Sequence, residues 1–243
     1  MVRTRNPLNL GAVARAMSNF GAVELRAVEP YGKAWREARS AVGAGAVMAG
    51  AKEFAAIGEA VADCTLVVGT TSVGNRELKH PLHDLVEAAP MLRERMKTGR
   101  VAILFGSEKF GLSNEELSFC HWLLRIPTRE EHRSMNLGQA AAVVLYELGR
   151  KKSEAGKDDK RIRSKGSEAA QGVIEDRKFA EMEVLERVGE ALLEALVTSG
   201  YVGPRSKELA EEKLRRMLRR FSMEAGDAEV FLGMIRKIRE AMK

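Results

Sequence analysis

The stretch that decides the fold is "ILFGSEKFGLSNEEL", residues 103–117. It begins with apolar residues typical of a buried strand, continues through a loop with two glycines around Glu108, and ends in a helical pattern. Ser113 and Glu116 have the three-residue spacing of a capping box, which predicts where that helix begins. A carboxylate just beyond the C-terminal end of a strand lies where open α/β sheets bind ligands. Glu108 is therefore a candidate functional residue, although the glycines could serve turns alone and leave it a loop carboxylate.

The alternation of strand and helix extends outward from this stretch to cover residues 1–148. The strand-like runs are apolar throughout, as expected of strands that are buried on both faces. The sequence therefore predicts an α/β fold, with a mostly parallel sheet and helices on both of its faces. We expect strands within 23–31, 64–72, 100–108 and 121–128, and helices at 9–20, 34–61, 81–96, 113–119 and 136–150.

The composition changes near residue 150. Residues 151–175 contain few apolar residues and mix charges with Gly and Ser, which is typical of a flexible linker, here with a basic bias. Beyond the linker, apolar residues recur at helical spacing. We predict an α/β domain at 1–150, a linker at 151–175 and a small all-helical C-terminal domain at 176–243.

The charge balance favours a polyanionic partner. Among 243 residues, 40 are Lys or Arg and 34 are Asp or Glu, giving a formal net charge of +6. Basic side chains that neutralise phosphates release counterions, so this excess suits a nucleic acid, although many basic proteins bind none.

Several classes of protein and site are disfavoured. No apolar run is as long as a bilayer span, and the N-terminus lacks a secretory pattern, so we expect a cytoplasmic protein with no membrane partner. The two cysteines, Cys64 and Cys120, do not have a metal-type spacing. The four histidines are scattered and lack further ligands, so we expect no metal site.

The stretch "HRSMNLGQAAAVVLYEL", residues 132–148, carries the next candidates. Asn136 and Gln139 form a fair capping pair, and the apolar run after them predicts a buried helix. A cap explains Asn136 alone. It does not explain why a polar loop brings Ser134 to the same end of the sheet.

The stretch "RTRNPLNLGAVARAMSNFG", residues 3–21, predicts a helix over 9–20 that Asn9 caps and Gly21 ends. Arg15 lies among small alanines in this helix. It is either an ordinary exposed helix arginine or a functional residue, and this stretch alone does not decide between the two.

Together, the three stretches resemble a known family. N-x-G-x-x-x-R at 9–15, G-x-E-x-x-G-L at 106–112 and I-P…S-M-N-L-x-Q-A at 126–140 are similar to the ordered motifs of the SPOUT superfamily of methyltransferases. More narrowly they resemble its RNA ribose 2′-O-methyltransferases, the SpoU/TrmH group. The linker and C-terminal helices resemble the TrmJ branch, which modifies position 32 in the tRNA anticodon loop.

The resemblance implies a fold and a cofactor. It implies a C-terminal deep trefoil knot, the α/β knot of SPOUT proteins, and a homodimer formed through the knotted domain. It also implies S-adenosylmethionine as cofactor, with S-adenosylhomocysteine as product. Family members usually have a complete first strand, whereas only "MVRT" precedes Asn6, so either that strand is shortened or the assigned start is too late. By motif match the cofactor would be held by Thr70, Thr71, Ser72, Leu104, Gly106, Ile126, Ser134, Met135 and Leu137.

The resemblance also implies an activity, transfer of a methyl group to a ribose 2′-hydroxyl of tRNA. Arg15 would orient the hydroxyl and stabilise developing alkoxide charge, because an arginine stays protonated in proteins. Asn9, Ser134 and Asn136 would position Arg15 and the ribose, and Glu108 would orient an arginine through a charge-assisted bond. The alternatives are a ribosomal-RNA 2′-O-methyltransferase and a non-catalytic RNA-binding protein on the same fold.

For contact with RNA we single out loop cations at the expected active end. A second basic cluster lies in the C-terminal part, where a solvated face with glutamates nearby is an equal alternative. The loop cations are Arg3, Arg5, Arg76, Lys79, Lys109 and Arg133; the C-terminal cluster is Lys213, Arg215, Arg216, Arg219 and Arg220.

Overall fold

The structure is a computed structural model. The predicted linker, residues 151–175, lies outside the residues that it describes, as does Arg76. Of Arg39 and Ser40 only the backbone is described. The described residues are 1–22, 24–40, 45–72, 78–150 and 177–242.

Short strands alternate with helices up to residue 149, and helices follow from residue 182. The strands are β1 Arg26–Val28, β2 Lys52–Phe54, β3 Leu66–Thr70, β4 Leu82–Asp84, β5 Val101–Leu104 and β6 Trp122–Arg125. The α-helices are α1 Pro7–Phe20, α2 Gly32–Ser40, α3 Gly45–Ala49, α4 Ile57–Val61, α5 Leu85–Thr98, α6 Asn114–Leu117, α7 Leu137–Gly149, α8 Met182–Thr198, α9 Lys207–Phe221 and α10 Ala225–Ala241.

Every strand pairing is parallel, which confirms the predicted α/β fold with parallel strands and helices. One sheet has the order β4–β6–β3–β5, and a smaller one pairs β1 with β2. Val2 connects the two sheets, since it forms a parallel bridge with Val28 and its N–H donates to the carbonyl of Phe105 at 2.8 Å. Because β3, β5 and β6 are parallel, their carboxyl ends lie at one edge of the sheet, where open α/β sheets bind ligands.

Two of the predicted helices are wrong in part. The segment 34–61 contains α2, α3 and α4 but also β2, which pairs with β1 through Lys52 and Arg26. The segment 81–96 begins with β4, and helix α5 starts only at Leu85. Each missed strand is three residues long and has one apolar residue, beside two charged residues in β2 and beside a histidine and an aspartate in β4, so no apolar run marked it.

Helix α1 begins two residues before the prediction, and Asn9 does not cap it. The cap is Asn6, whose side chain accepts from the Leu8 N–H at 2.9 Å, and Pro7 occupies the first helical position, where its missing N–H costs nothing. Gly21 ends the helix in the left-handed conformation, as predicted, with φ of 75°. Asn9 therefore lies within the first turn, and its side chain is available for other contacts.

The helix starts predicted for the other two motifs are confirmed. Ser113 and Glu116 form the complete capping box of α6. Asn136 caps α7, and its Oδ1 accepts from the N–H groups of Gly138 at 2.9 Å and Gln139 at 3.4 Å. A Cβ on Gly138 would lie 2.5 Å from the Cβ of Ala12, so this glycine lets α7 approach α1 closely.

The C-terminal helices pack on the α/β part and share a hydrophobic core with it. Met182 and Leu185 of α8 are buried in one cluster with Val67 and Leu123 of the sheet. The Met182 N–H donates to the carbonyl of Cys64 at 2.9 Å, which joins the backbones of the two parts. No helix in the described part of the chain is long and apolar enough to span a bilayer.

The C-terminal basic cluster is largely engaged within the chain. Arg215 pairs with Glu186 at 3.3 Å and stacks on the ring of Phe119, with its guanidinium carbon 4.1 Å from the centroid. Arg219 is buried and also pairs with Glu186, while Arg216 pairs with Glu212 of its own helix. Lys213 and Arg220 are the exposed members of the cluster.

Candidate active site

A cavity of about 680 Å³ opens at the carboxyl ends of β3, β5 and β6. Its walls come mainly from residues 70–72, 105–112, 126 and 133–137, which lie at or after the ends of the three strands. This volume falls in the range of small-molecule sites, and the position is the one expected for a ligand in a parallel sheet.

The cavity brings together most of the residues predicted to hold a cofactor. The lining contains both hydroxyl groups and apolar side chains, which suits a ligand with polar and flat apolar parts. Predicted residues that line it are Thr70, Thr71, Ser72, Gly106, Ile126, Ser134, Met135 and Leu137, together with Asn9, Glu108 and Asn136.

Leu104 departs from the prediction. Its side chain is buried in the core against Val67 and Leu123 and does not line the cavity. Side chains alternate between the faces of a strand, so the last residue of β5 faces inward while the chain beyond it forms the wall. The carbonyl of Leu104 accepts the hydroxyl of Thr70 at 2.9 Å, which joins the ends of β5 and β3.

The glycine loop after β5 is a closed turn. Ser107 and Gly111 exchange both backbone hydrogen bonds, at 3.2 and 2.8 Å, and Gly111 has a positive φ of 65°. A Cβ on Gly106 would lie 2.1 Å from the Gly111 carbonyl carbon and 2.3 Å from the Leu112 nitrogen. Only glycine fits there, so the motif G-x-E-x-x-G is explained by the geometry of this turn.

One hydrogen-bonded chain joins the three sequence motifs. The carboxylate of Glu108 accepts from the Nδ2 of Asn9 at 3.0 Å, and the Oδ1 of Asn9 accepts from the Nδ2 of Asn136 at 3.0 Å. Asn136 in turn caps α7. Residues far apart in the sequence are thereby fixed in one wall of the cavity.

Glu108 also receives backbone hydrogen bonds, from the N–H of Arg5 at 3.2 Å and of Asn6 at 3.1 Å. Partial burial raises the pKa of this carboxyl, but the hydrogen bonds from Asn9 and the backbone outweigh burial, and the net pKa lies below the ordinary value. Glu108 is thus an ionised anchor for the segment before α1. Its partners are amides, not the guanidinium that the sequence interpretation gave it.

Arg15 does not line the cavity of its own chain. It is exposed on α1, and within the described residues it forms no ion pair or hydrogen bond. An α-helix turns about 100° per residue, so six residues place Arg15 roughly 120° around the axis from Asn9 and about 9 Å along it. Of the predicted catalytic residues, Arg15 alone lies outside the lining of the cavity. The four that line it are Asn9, Glu108, Ser134 and Asn136.

The loop cations predicted to contact RNA are mostly at this end of the molecule. Lys109 and Arg133 line the cavity and are exposed. Arg5 is exposed beside Glu108. Lys79 is exposed as well, but it does not line the cavity and precedes the amino end of β4, whereas the cavity lies at the carboxyl ends of the neighbouring strands. Arg3 departs from the prediction, because its guanidinium pairs with Glu116 of the capping box at 2.7 Å.

The cavity has further lining residues that the sequence interpretation missed. Several are apolar positions whose hydrophobicity fits an ordinary core, so no sequence signal separated them from it. Phe110 is different, because a large aromatic beside Lys109 in a polar loop is itself a signal. The missed residues are Phe105, Ser107, Phe110, Gly111, Leu112, Leu117, Leu124 and Ala140.

Buried histidines and cysteines in the described ranges do not assemble a metal site. No group of three or more His, Cys, Asp or Glu side chains there is placed to hold a metal ion. His121 is buried, and desolvation, followed by the charges of Arg219 and Arg95, lowers its pKa to about 3. Desolvation likewise raises the pKa of the Cys64 thiol to about 12, so these groups are neutral parts of the core.

Comparison with known proteins places the chain among methyltransferases. Residues 1–146 match the model of the SpoU rRNA Methylase family. The tRNA (cytidine/uridine-2'-O-)-methyltransferase TrmJ of Klebsiella pneumoniae is 32% identical over 244 residues, covering 100% of this chain and 96% of that protein. The protein of the same name from Cronobacter sakazakii is 32% identical over 239 residues, covering 98% and 94% respectively.

Solved structures agree with these relatives. The crystal structure of TrmJ from Z. mobilis ZM4 superposes with a TM-score of 0.77 at 30% identity, covering 98% of this chain and 96% of that one. A probable methyltransferase from Bordetella pertussis Tohama I has a TM-score of 0.55 at 34% identity, covering 61% of this chain and 91% of its own. The similarity to the Z. mobilis structure thus includes the C-terminal helices.

Proposed function

The chain belongs to the SpoU rRNA Methylase family, and from that premise we propose that it is a tRNA 2′-O-methyltransferase that uses S-adenosylmethionine. The observation that carries the proposal is the hydrogen-bonded chain from Glu108 through Asn9 to Asn136 beside a cavity of cofactor size. The full-length similarity to proteins named as tRNA (cytidine/uridine-2'-O-)-methyltransferases favours tRNA as the substrate.

The lining of the cavity fits S-adenosylmethionine. Ile126, Met135 and Leu137 supply an apolar surface for an adenine ring, and the hydroxyls of Thr70 and Ser72 suit a ribose and an amino-acid group. The close approach at Gly106 brings backbone amides and carbonyls into the wall, where they can read the edge of a base. When bound, this cofactor supplies a methyl group on a positively charged sulfur, an activated donor that needs no metal.

The residues of the chain would then align and stabilise the acceptor. The reaction needs a ribose 2′-hydroxyl held in line with the methyl group, and a route for its proton. Ser134, which lines the cavity, and Asn9 would position the hydroxyl. Arg15 would stabilise the developing alkoxide charge while the proton passes to an RNA phosphate or to water.

Arg15 can serve such a site through a second copy of the chain. We propose the homodimer of the knotted domain for this reason, with Arg15 of one protomer reaching the cavity of its partner. The face of α1 that carries Arg15 suits an interface, since Leu8, seven residues earlier and therefore on the same face, is exposed. The deep trefoil knot that the family resemblance implies belongs to the same proposal.

The proposal extends to the rest of the chain. Arg5, Lys79, Lys109 and Arg133, with Arg76, would guide the RNA to the cavity, and position 32 of the anticodon loop would be the target. The product would be S-adenosylhomocysteine, and the protein would act in the cytoplasm. We retain the division into an α/β domain at 1–150, a linker at 151–175 and an all-helical domain at 176–243, which the helices from Met182 onward support.

Two alternatives use the same fold. A ribosomal-RNA 2′-O-methyltransferase is favoured by the family's description, which names rRNA. A non-catalytic RNA-binding protein would also use the basic loops, but it would have no need for the buried Asn9 and the closed cavity wall.

One assay separates these functions. Total RNA from cells that lack this ribose 2′-O-methylation is incubated with the protein and with S-adenosylmethionine labelled in the methyl group. We expect label in the tRNA fraction, in dinucleotides that resist alkaline hydrolysis because their 2′-oxygen is methylated. Label in ribosomal RNA alone would support the first alternative, and RNA binding without any label would support the second.

A further inference from the structure

Phe110 is a large aromatic residue that is exposed to solvent and lines the cavity. Its side chain is 69% exposed, yet it lines the same cavity as Thr70, Ser134 and Met135. Single exposed apolar residues are common on protein surfaces, so it is the position of Phe110 in the lining of a cavity, together with its exposure, that points to contact with a ligand.

The turn that carries Phe110 is rigid. The two backbone hydrogen bonds between Ser107 and Gly111 close the turn, and the Phe110 N–H donates to the hydroxyl of Ser107 at 3.4 Å. The preceding residues are fixed as well, because Glu108 is bonded to Asn9 and to the backbone of Arg5 and Asn6. The ring is therefore presented on a fixed support, which lowers the entropy lost when a partner binds.

One cation lies beside the ring, and a second lines the same cavity. The Nζ of Lys109 lies 5.1 Å from the ring centroid, and Arg133 lines the same cavity. An aromatic face with flanking cations matches a nucleotide, whose base stacks on the ring while its phosphate pairs with the cation.

We propose that Phe110 is the stacking platform for the base of the nucleotide whose ribose is methylated. This inference rests on the proposed function. The base is joined directly to the reacting ribose, so an aromatic ring at the rim of the cofactor cavity lies within its reach. Unstacked RNA bases are commonly held on aromatic side chains in this way, and a flat ring accepts either pyrimidine.

The test compares variants at Phe110 in the full-length protein with unmodified tRNA. We expect Phe110→Ala to lower kcat/KM for tRNA about 5- to 150-fold, the range for losing the stacking of one base on an aromatic ring. The Kd for S-adenosylhomocysteine should stay unchanged, because the ring would touch the RNA and not the cofactor. Phe110→Tyr and Phe110→Trp should retain most of the activity, whereas Phe110→Leu, which keeps apolar bulk without a π-face, should not.

Tyr201 provides the matched control. It is 82% exposed in the loop between α8 and α9 and does not line the cavity, so Tyr201→Ala removes a comparably exposed aromatic ring from elsewhere on the surface. We expect no change in kcat/KM for that variant. The proposal would be overturned if Phe110→Ala had the same kcat/KM for tRNA as the unaltered protein. It would also be overturned if the kcat/KM of Phe110→Leu equalled that of Phe110→Tyr. An unaltered protein that methylates no tRNA would instead overturn the proposed function, so the two failures are distinguishable.

Discussion

Arg15→Ala is expected to lower kcat for methyl transfer to tRNA by about 100-fold or more, the effect typical of removing a donor that stabilises developing oxyanion charge. The Kd for S-adenosylhomocysteine should stay within about twofold, because Arg15 lies outside the cofactor cavity of its own chain. The measurement is steady-state kinetics together with calorimetric binding. The control is Arg36→Ala in α2, another exposed helix arginine, which should leave kcat unchanged.

Mixing variants tests how Arg15 reaches the site. Arg15→Ala and Ser134→Ala, each impaired alone, are coexpressed so that dimers form at random. If Arg15 acts in the partner's cavity, half of the dimers are mixed and one of their two sites is intact, so about a quarter of the activity returns. No recovery would mean that Arg15 acts within its own chain or not at all, and unchanged turnover by Arg15→Ala would remove it from the mechanism.

Glu108→Gln is expected to lower the free energy of unfolding by about 1 to 2 kcal/mol at pH 7, because the hydrogen bonds to Glu108 are charge-assisted and only partly shielded from water. The methyl-transfer rate should fall as well, since the same carboxylate fixes Asn9 at the cavity wall. Chemical denaturation gives the first quantity, and the tRNA assay gives the second.

The loss of stability should depend on pH in a defined direction. Because the folded pKa of Glu108 is below the ordinary value of 4.5, its stabilising effect is present above that value and fades as the pH falls through the folded pKa. The difference between the unaltered protein and Glu108→Gln should therefore shrink below about pH 4.5. Glu115→Gln is the control, an exposed carboxylate in the neighbouring helix α6, with an expected change within about 0.5 kcal/mol. Equal losses for both variants at pH 7 would contradict the anchoring role of Glu108.

The parts of the fold that follow from sequence are those with a strong local signal. β3 and β6 are apolar runs that are buried almost throughout, β5 is an apolar run that is partly buried at the edge of the sheet, and their parallel arrangement follows from the helices between them. The caps of α6 and α7 follow from side-chain chemistry at fixed spacing. β2 and β4 could not be found, because each has three residues of which two are polar or charged, and their pairing is decided by tertiary contacts.

The candidate site likewise combines features that have a local sequence signal with features that only tertiary contacts decide. Nothing local indicates that Asn9 bonds to Glu108 or to Asn136, since 99 and 127 residues separate them in the sequence. The family resemblance grouped these motifs, but their partners became visible only in the folded chain. The direction of Arg15, in contrast, follows from helix geometry alone, because six residues along α1 rotate it away from Asn9. Alternation along β5 does not assign Leu104, because both faces of this strand pack in hydrophobic clusters.

The most direct measurement is a crystal structure of the protein with S-adenosylhomocysteine. We expect the ligand to lie in the cavity lined by residues 70–72, 105–112, 126 and 133–137. Beside it, the hydrogen bonds from Asn9 to Glu108 and from Asn136 to Asn9 should be retained. Ligand bound elsewhere, for example in the groove between α8 and α9, with that cavity filled by the chain itself, would contradict this expectation.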